Sequence, residues 1–550
     1  MQKICKNCSQ SFEITDLDLK FYEKISVPAP THCLRCRKIR RLARINQLNL
    51  YERKCDATGE KIISNYHPSS VHKVYKQDYW YSDKWDALKY GMDFNFNMSF
   101  FEQFNELSLK VPKPALFTAY EFDENSEYTN HSGKNKNCYM IFDSDESRDC
   151  LYSYSINKCN DVMESYRARK SELCYNCCDI QNCFNCYFVE NSETCNDSAF
   201  LLNCTGLKHC FMCVNLRQKE YHILNKPMPK EKYEEAMACL KNRHFLKQLT
   251  AQFQEFTLQF PQKFYHGVQN ENVSGDYLFN CKNATNCFEC EDLWDCKNID
   301  QGFMPLKDCM DSYECGDGEL IYESIVTGYG AYNMKFSSHC IGNLNNINYS
   351  YQCKYCSDLF GCIALKRKKY CIFNKQYTKE EYEVLVPKII KSMIKTAEWG
   401  EFFPISISDV TYNESLAQLH FPLTREKALA KGYKWLDKEE IKDTLDIISN
   451  QIPNNFDETD LKICNELFRC TNCNKKYKII EPEYKLYQKF KVALPEMCFM
   501  CRHIGRFSKR NKRELVKRNC MKCDKEMQTA YSTDRPEIVY CEECYLKEVY

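Results

Sequence analysis

The sequence predicts a mainly β chain with some α structure. A duplicated, cysteine-rich β-solenoid (parallel β-helix-like) is flanked by treble-clef or zinc-ribbon modules, with short helices between. Three observations predict this fold. The two ends of the chain are copies of one module, the middle spaces its cysteines at short intervals, and the middle is itself duplicated.

Composition sets the frame. The chain has 550 residues, more than one ordinary core holds, so several domains are expected. Its formal net charge of +1 points to no partner through bulk charge. There are 38 cysteines. The opening "MQKICKNCSQSFEITDLD" has no apolar signal core, and no run is long enough to span a membrane. A reducing, cytoplasmic setting is therefore expected, where C-x2-C pairs read as metal ligands rather than disulfides.

Residues 1–85 and 466–550 align without gaps at an offset of 465. Cys5, Cys8, Cys33 and Cys36 fall on Cys470, Cys473, Cys498 and Cys501. Ile14, Tyr22, Val27 and Pro30 fall on Ile479, Tyr487, Val492 and Pro495. Four thiolates in two C-x2-C pairs suit a tetrahedral zinc ion. Each spacer holds 24 residues, room for a hairpin, and the second pair opens a helix-like stretch. Hairpin plus ligand-bearing helix is a treble-clef arrangement. A second quartet follows in the C-terminal copy: Cys520, Cys523, Cys541 and Cys544, with a 17-residue spacer. The N-terminal copy has Cys55, Thr58, Lys76 and Tyr79 there, so that half is expected to keep its fold by packing "VYKQDYWYSDKW" instead of binding metal. Three structural zinc ions are expected.

Both helix-like stretches are basic. Arg37, Arg41 and Arg44 in one copy, and Arg502, Arg506 and Arg510 in the other, are candidate phosphate contacts to RNA or DNA. A solvated helix face explains the same charge without a ligand.

In the middle, Cys138, Cys150, Cys159, Cys174, Cys183, Cys195 and Cys204 are separated by 12, 9, 15, 9, 12 and 9 residues. Summed in pairs, these predict a repeat of about twenty residues, with short strands, Asn-rich turns and asparagine ladders at the corners. An offset of 149 brings Tyr128, Asn137 and Cys138 onto Tyr277, Asn286 and Cys287. The cysteines alternate with Phe, Tyr, Leu and Ile as core residues do. The tight groups Cys174, Cys177, Cys178, Cys183, Cys186 and Cys353, Cys356, Cys362 leave a further metal open, although Cys371 replaces His222 at matched positions.

The expected organisation is a zinc module (1–85), an aromatic bridge (86–120), solenoid copies at 121–228 and 266–377, and a helical connector at 229–265. A helix at 378–400, a small connector with linker at 401–465 and the double zinc module at 466–550 complete it. Pro387 should interrupt the helix after the second copy. In "LTREKALAKGYKW", Thr424 caps a short helix that ends at Gly432.

The stretches "CRKIRRLARINQLNLYERKCDATGEKIIS", "VYKQDYWYSDKWDALKYGMDF", "NSEYTNHSGKNKNCYMIF", "KKYCIFNKQYTKEEYE" and "EWGEFFP" resemble cysteine-rich bacterial proteins with a treble-clef zinc ribbon at one or both ends. The resemblance spans most of the chain. It implies structural zinc and a repeat-containing middle, and it names no activity.

No phosphate-binding Gly loop, HExxH or GxSxG is present. Closed four-thiolate sites leave no open catalytic position. The preferred expectation is a non-enzymatic zinc scaffold whose basic heads bind nucleic acid, spaced by the solenoid. A protein-interaction scaffold using the solenoid face is the alternative. A carbohydrate-active β-helix enzyme using acids such as "DSDES" (143–147) or "ECEDLWD" (289–295) is the third reading.

Overall fold

A computed structural model describes residues 1–302, 305–313, 318–326, 330–437 and 452–549 of the chain. It is a mixed α/β protein with many short strands, including two seven-stranded sheets. The part of the expected connector at 438–451 lies outside the described residues.

Each terminal module begins with a two-stranded hairpin around the first cysteine pair: Gln2–Ile4 with Ser11–Glu13, and Phe468–Arg469 with Lys476–Tyr477. The spacer does not form the expected hairpin. It carries a helix, Asp16–Lys24 in one copy and Glu481–Phe490 in the other. In the first, Thr15 accepts from Asp18 N while the Asp18 carboxylate accepts from Thr15 N. This reciprocal cap satisfies two orphan donors and starts the helix. The second cysteine pair sits at a helix start, with Cys33 and Cys498 immediately before helices Leu34–Leu42 and Phe499–Ser508.

The middle is built on a step of three. Every third residue from Asn137 to Leu224 has a φ between 46° and 66°. That left-handed conformation is costly for most residues and least so for Gly, Asn and Asp. Asparagines and aspartates accordingly occupy many of these positions and ladder across neighbouring segments. Asn125 donates to Asn137, Asn137 to Asp149 and Asn185 to Asp197.

From Cys138 to Cys213, the residue after each left-handed position turns inward and is small or apolar. Cys150, Ser153, Ile156, Cys159, Val162 and Ser165 follow one another at this spacing, all 3% exposed or less. Inward hydroxyls and thiols are satisfied the same way. Ser147 Oγ donates to Asp145 O and accepts from Cys159 N, and Cys159 Sγ donates to Asn157 O. The cysteines are therefore core residues interchangeable in role with serine. Cys159→Ser is expected to cost under about 1 kcal/mol by chemical denaturation, whereas Cys159→Phe overpacks the same place by about 1–3 kcal/mol or more.

Parallel pairing then joins residues twelve apart. Tyr166 pairs with Cys178, Cys178 with Glu190, and Phe184 with Asn196. The expected repeat of about twenty is thus corrected to twelve in the first half. In the second, steps of twelve mix with steps of thirteen, as at Leu293↔Leu306 and Ala331↔Leu344. Four columns of paired residues run through the first half. Two are largely apolar: Tyr139, Leu151, Met163, Tyr175, Tyr187, and Phe142, Tyr154, Tyr166, Cys178. Two are largely polar: Lys136, Arg148, Asn160, Glu172, and Asp145, Asn157, Arg169, Gln181.

The apolar columns need cover. Helices Lys230–Ala238 and Arg243–Thr257 supply part of it, with Phe253 against Phe200 at 5.5 Å and Tyr233 Oη donating to Asp197 O. Residues read as a linker also pack there. Phe456 is buried, and Arg243 N donates to Asn454 O at 2.8 Å. The helix Lys379–Lys395 runs through Pro387 without the expected interruption. A Thr378–Glu381 capping box and buried Tyr382, Ile389 and Met393 hold it despite the missing N–H. Thr424 caps Arg425–Ala430 by accepting from Lys427 N.

The modules dock crosswise. In the N-terminal module, Val74–Tyr75 pairs in parallel with Lys113–Pro114, which leads into the first half. Its helices instead pack on the second half, with Tyr22 of Asp16–Lys24 against Tyr322 at 5.2 Å and Arg37 of the basic helix Leu34–Leu42 on Asp311 at 2.8 Å. In the C-terminal module, Val539–Tyr540 pairs with Gln262–Lys263, which leads into the second half. Its helices pack on the first half, with Tyr487 against Tyr175 at 5.5 Å. The two modules also touch, through an Arg35–Glu514 ion pair and a Lys38 Nζ bond to Arg513 O.

Candidate metal centres

The structure brings twelve predicted cysteines into three quartets: Cys5, Cys8, Cys33, Cys36; Cys470, Cys473, Cys498, Cys501; and Cys520, Cys523, Cys541, Cys544. Within each, the four sulfurs lie within 4.8 Å of one another. One cross-pair in each is 3.7 Å apart: Cys8–Cys33, Cys473–Cys498 and Cys523–Cys541. A tetrahedral ion with metal–sulfur bonds of about 2.3 Å places its ligands about 3.8 Å apart. The quartets fit such an ion.

Local backbone explains why the first two ligands converge. Cys5 N donates to Gln10 O and Ser9 N donates back to Cys5 O, both at 2.9 Å, and Ser9 takes a φ of 59°. Cys470 and Cys520 make the same pair of bonds with Lys475 and Asn474, and with Lys525 and Asp524. This tight turn aims backbone N–H groups at the sulfurs. Burial opposes ionisation of Cys5, yet the N–H groups of Cys33, Cys8 and Asn7 bring it down to about 6. Cys470 and Cys520 reach about 6 against the same burial, through the same kind of donors. Burial pushes Cys498 up to about 12 and raises Cys36 as well. A divalent cation would hold such thiols as thiolates.

Outer contacts repeat too. Asn7 Nδ2 lies 3.2 Å from Cys36 Sγ, and its counterpart Asn472 Nδ2 lies 3.3 Å from Cys501 Sγ. Such donors orient ligands and tune the metal. The asparagines are a part of the site that the cysteine spacing alone did not disclose, although both copies carry them.

The half-site at Cys55 keeps the fold of its partner. Cys55 N donates to Glu60 O and Gly59 N to Cys55 O. Lys76 N reaches Cys55 Sγ at 3.3 Å, as Cys541 N reaches Cys520 Sγ at 3.3 Å. Around it, Tyr75 packs edge-on to Tyr79 at 5.3 Å and to Trp85 at 5.8 Å. Aromatic packing occupies this half where Thr58, Lys76 and Tyr79 stand in place of ligands.

The six arginines expected to meet nucleic acid are turned inward, which corrects that expectation. Arg37, Arg41, Arg44, Arg502 and Arg506 are 1–8% exposed. Arg37 reaches Asp311 at 2.8 Å, and Arg41 lies 4.0 Å from the same carboxylate. Arg44 stacks over Phe403 at 5.0 Å. Arg502 and Arg506 share Glu164 at 2.8 and 2.6 Å, and Arg510 reaches Glu289 at 2.7 Å and Asp179 at 3.2 Å. Five of the six meet carboxylates of the middle and Arg44 lies on a ring, so these side chains are not presented to a phosphate backbone. Glu289, one of the acids considered for carbohydrate chemistry, is committed to the same pairs.

The described residues contain no helix long and apolar enough to cross a membrane. No family model matches the chain, and no curated protein does. Among solved structures, a candidate acetyltransferase from Desulfovibrio desulfuricans G20 is 9% identical over 48% of this chain and 68% of its own. Its TM-score of 0.10 is too low to carry an argument about fold or activity.

Proposed function

We propose that this chain is a non-enzymatic scaffold in which treble-clef modules, each closed by structural zinc, clamp a four-sided β-solenoid of twelve-residue coils. The observation that carries the reading is the crosswise docking. Each module pairs a strand with one half and buries its arginine helix against the other. The four paired columns and the three-residue φ pattern support the solenoid. Closed quartets of thiols support zinc in a structural role. The family resemblance on the module sequences points the same way, and a thiol-rich chain of this kind suits a reducing, cytoplasmic setting.

With the heads spent on the chain's own acids, the working surface is the solenoid. The polar column of Lys136, Arg148, Asn160 and Glu172 is the part we assign to a protein partner, because Arg148 and Glu172 stand exposed and Lys136 partly so among the described residues. Native mass spectrometry of the purified chain tests the metal part. Three zinc ions per chain are expected, one for each quartet, and Cys523→Ala should remove one of them. A count of two or fewer in the unsubstituted chain contradicts the reading.

A further inference from the structure

Where the two terminal modules meet, they enclose with residues 412–433 a cleft of about 510 Å³. Its apolar wall includes Leu419, Phe421, Ile504 and Phe507. Ile504 stands at the surface, 49% exposed. Lys431 and Lys512 also border the cleft, as do the carboxylates Glu289 and Glu514 and the quartet cysteines Cys8 and Cys36.

The charge behind this wall does not balance. Arg167 reaches Asp179 and Glu289 at 3.4 and 3.7 Å, and Arg510 reaches the same two acids. Arg513 reaches Glu289 at 2.6 Å, and Lys38 reaches Asp300 at 2.9 Å. Among the described residues, four cations of this cluster thus face three carboxylates, and all seven side chains are 9% exposed or less. By contrast, Arg502 and Arg506 meet two acids, Glu164 and Glu483. A buried excess charge is costly unless something of opposite sign approaches it.

Arg513 has two buried nitrogens to spare, where Arg510 and Arg167 have one each. Its Nη2 serves Glu289, Tyr166 and Gln301. Its Nε and Nη1 are buried and have no hydrogen-bond partner among the described residues, and Arg513 lines the cleft. A cavity of this size, mostly apolar and with a few convergent polar groups, is the usual form of a small-molecule site.

We propose that the cleft between the two modules binds a small anion with an apolar body. Its carboxylate, sulfonate or phosphate meets the unpartnered nitrogens of Arg513, and its body lies on Leu419, Phe421, Ile504 and Phe507. The ligand pairs with the buried nitrogens of Arg513 and at the same time bridges the two modules.

The test is a fluorescence titration of the full, zinc-loaded chain with 1-anilinonaphthalene-8-sulfonate, an anion with an aromatic body. Saturable binding of one dye per chain is expected. Ile504→Glu puts a carboxylate at the cleft and should weaken binding by about tenfold or more, and Lys512→Glu by about threefold or more. Phe245→Glu, on an exposed position of another helix, should leave it unchanged. Near-ultraviolet circular dichroism establishes that each variant is folded, and the two cleft variants serve as substitutes for each other if one is not. The neutral dye Nile red should bind at least about tenfold more weakly than the sulfonate. The proposal is overturned by absence of saturable binding, by equal affinity of folded cleft variants, or by equal affinity for the neutral dye.

Discussion

Cys501→Ala is expected to unfold the first metal quartet of the C-terminal module and to lower the thermal midpoint of the chain by roughly 10 °C or more. The substitution leaves Cys470, Cys473 and Cys498, and removes the sulfur that Asn472 approaches at 3.3 Å. Cys501 lies in helix Phe499–Ser508, which also carries Arg502 and Arg506. Freeing that helix withdraws both arginine partners of Glu164, a carboxylate only 1% exposed, and leaves it the Tyr487 hydroxyl. Loss of metal thus reaches into the middle of the chain. Cys55→Ala is the matched control, because Cys55 is a lone thiol in an aromatic half-site. It should cost no more than about 1–2 kcal/mol. Circular dichroism melts with metal counting separate the two. Equal effects of Cys501→Ala and Cys55→Ala would argue against metal in the quartet.

Glu289→Ala is expected to destabilise the folded chain by about 3–5 kcal/mol, read by chemical denaturation. Glu289 is 6% exposed and meets Arg510 and Arg513 at 2.7 and 2.6 Å, with Arg167 at 3.7 Å. Removing it leaves three buried guanidinium groups with Asp179 as their remaining acid. Burial works against its ionisation, but Arg510, Arg513 and Arg167 hold its carboxyl well below the ordinary range. A carboxyl depressed on folding stabilises the native state above its unfolded pKa, and that contribution is lost as pH falls through the folded value. The difference between Glu289→Ala and the unsubstituted chain should therefore be full at pH 7 and shrink progressively as pH falls below about 4.5, where the unfolded carboxyl takes up its proton. A difference that stays constant into strong acid would assign the effect to packing alone.

The metal quartets were legible because their information is local. A C-x2-C pair and the turn that carries it are fixed by neighbouring residues, and the second copy of each position checks the first. The coil length was less legible, although its signal was present. The intervals of 9, 12 and 15 residues are all multiples of three. Pairing them hid the unit, because Ser, Ala, Ile and Val take the inward position as readily as Cys, so no single residue type marks every turn. The asparagine that so often precedes cysteine, as in Asn137–Cys138 and Asn203–Cys204, is the left-handed residue before an inward one. The basic helices misled for a different reason. Their acids are remote in sequence, so Arg506 finds Glu164 across 342 residues and Arg40 finds Glu323 across 283. A local charge run looks unpaired until the fold supplies its partners.

The central claim is that the metal-bearing modules are clamps whose arginine helices are part of the interior. Hydrogen-exchange mass spectrometry of the native chain, before and after a zinc chelator, tests it most directly. The account predicts that peptides from 498–513 and from 151–190 are both protected in the loaded chain. On chelation they should lose protection together, because the helix and the columns beneath it share buried ion pairs. If 498–513 exchanges freely in the loaded chain, or if chelation exposes 466–550 while 151–190 stays fully protected, the modules are appendages and the clamp is wrong.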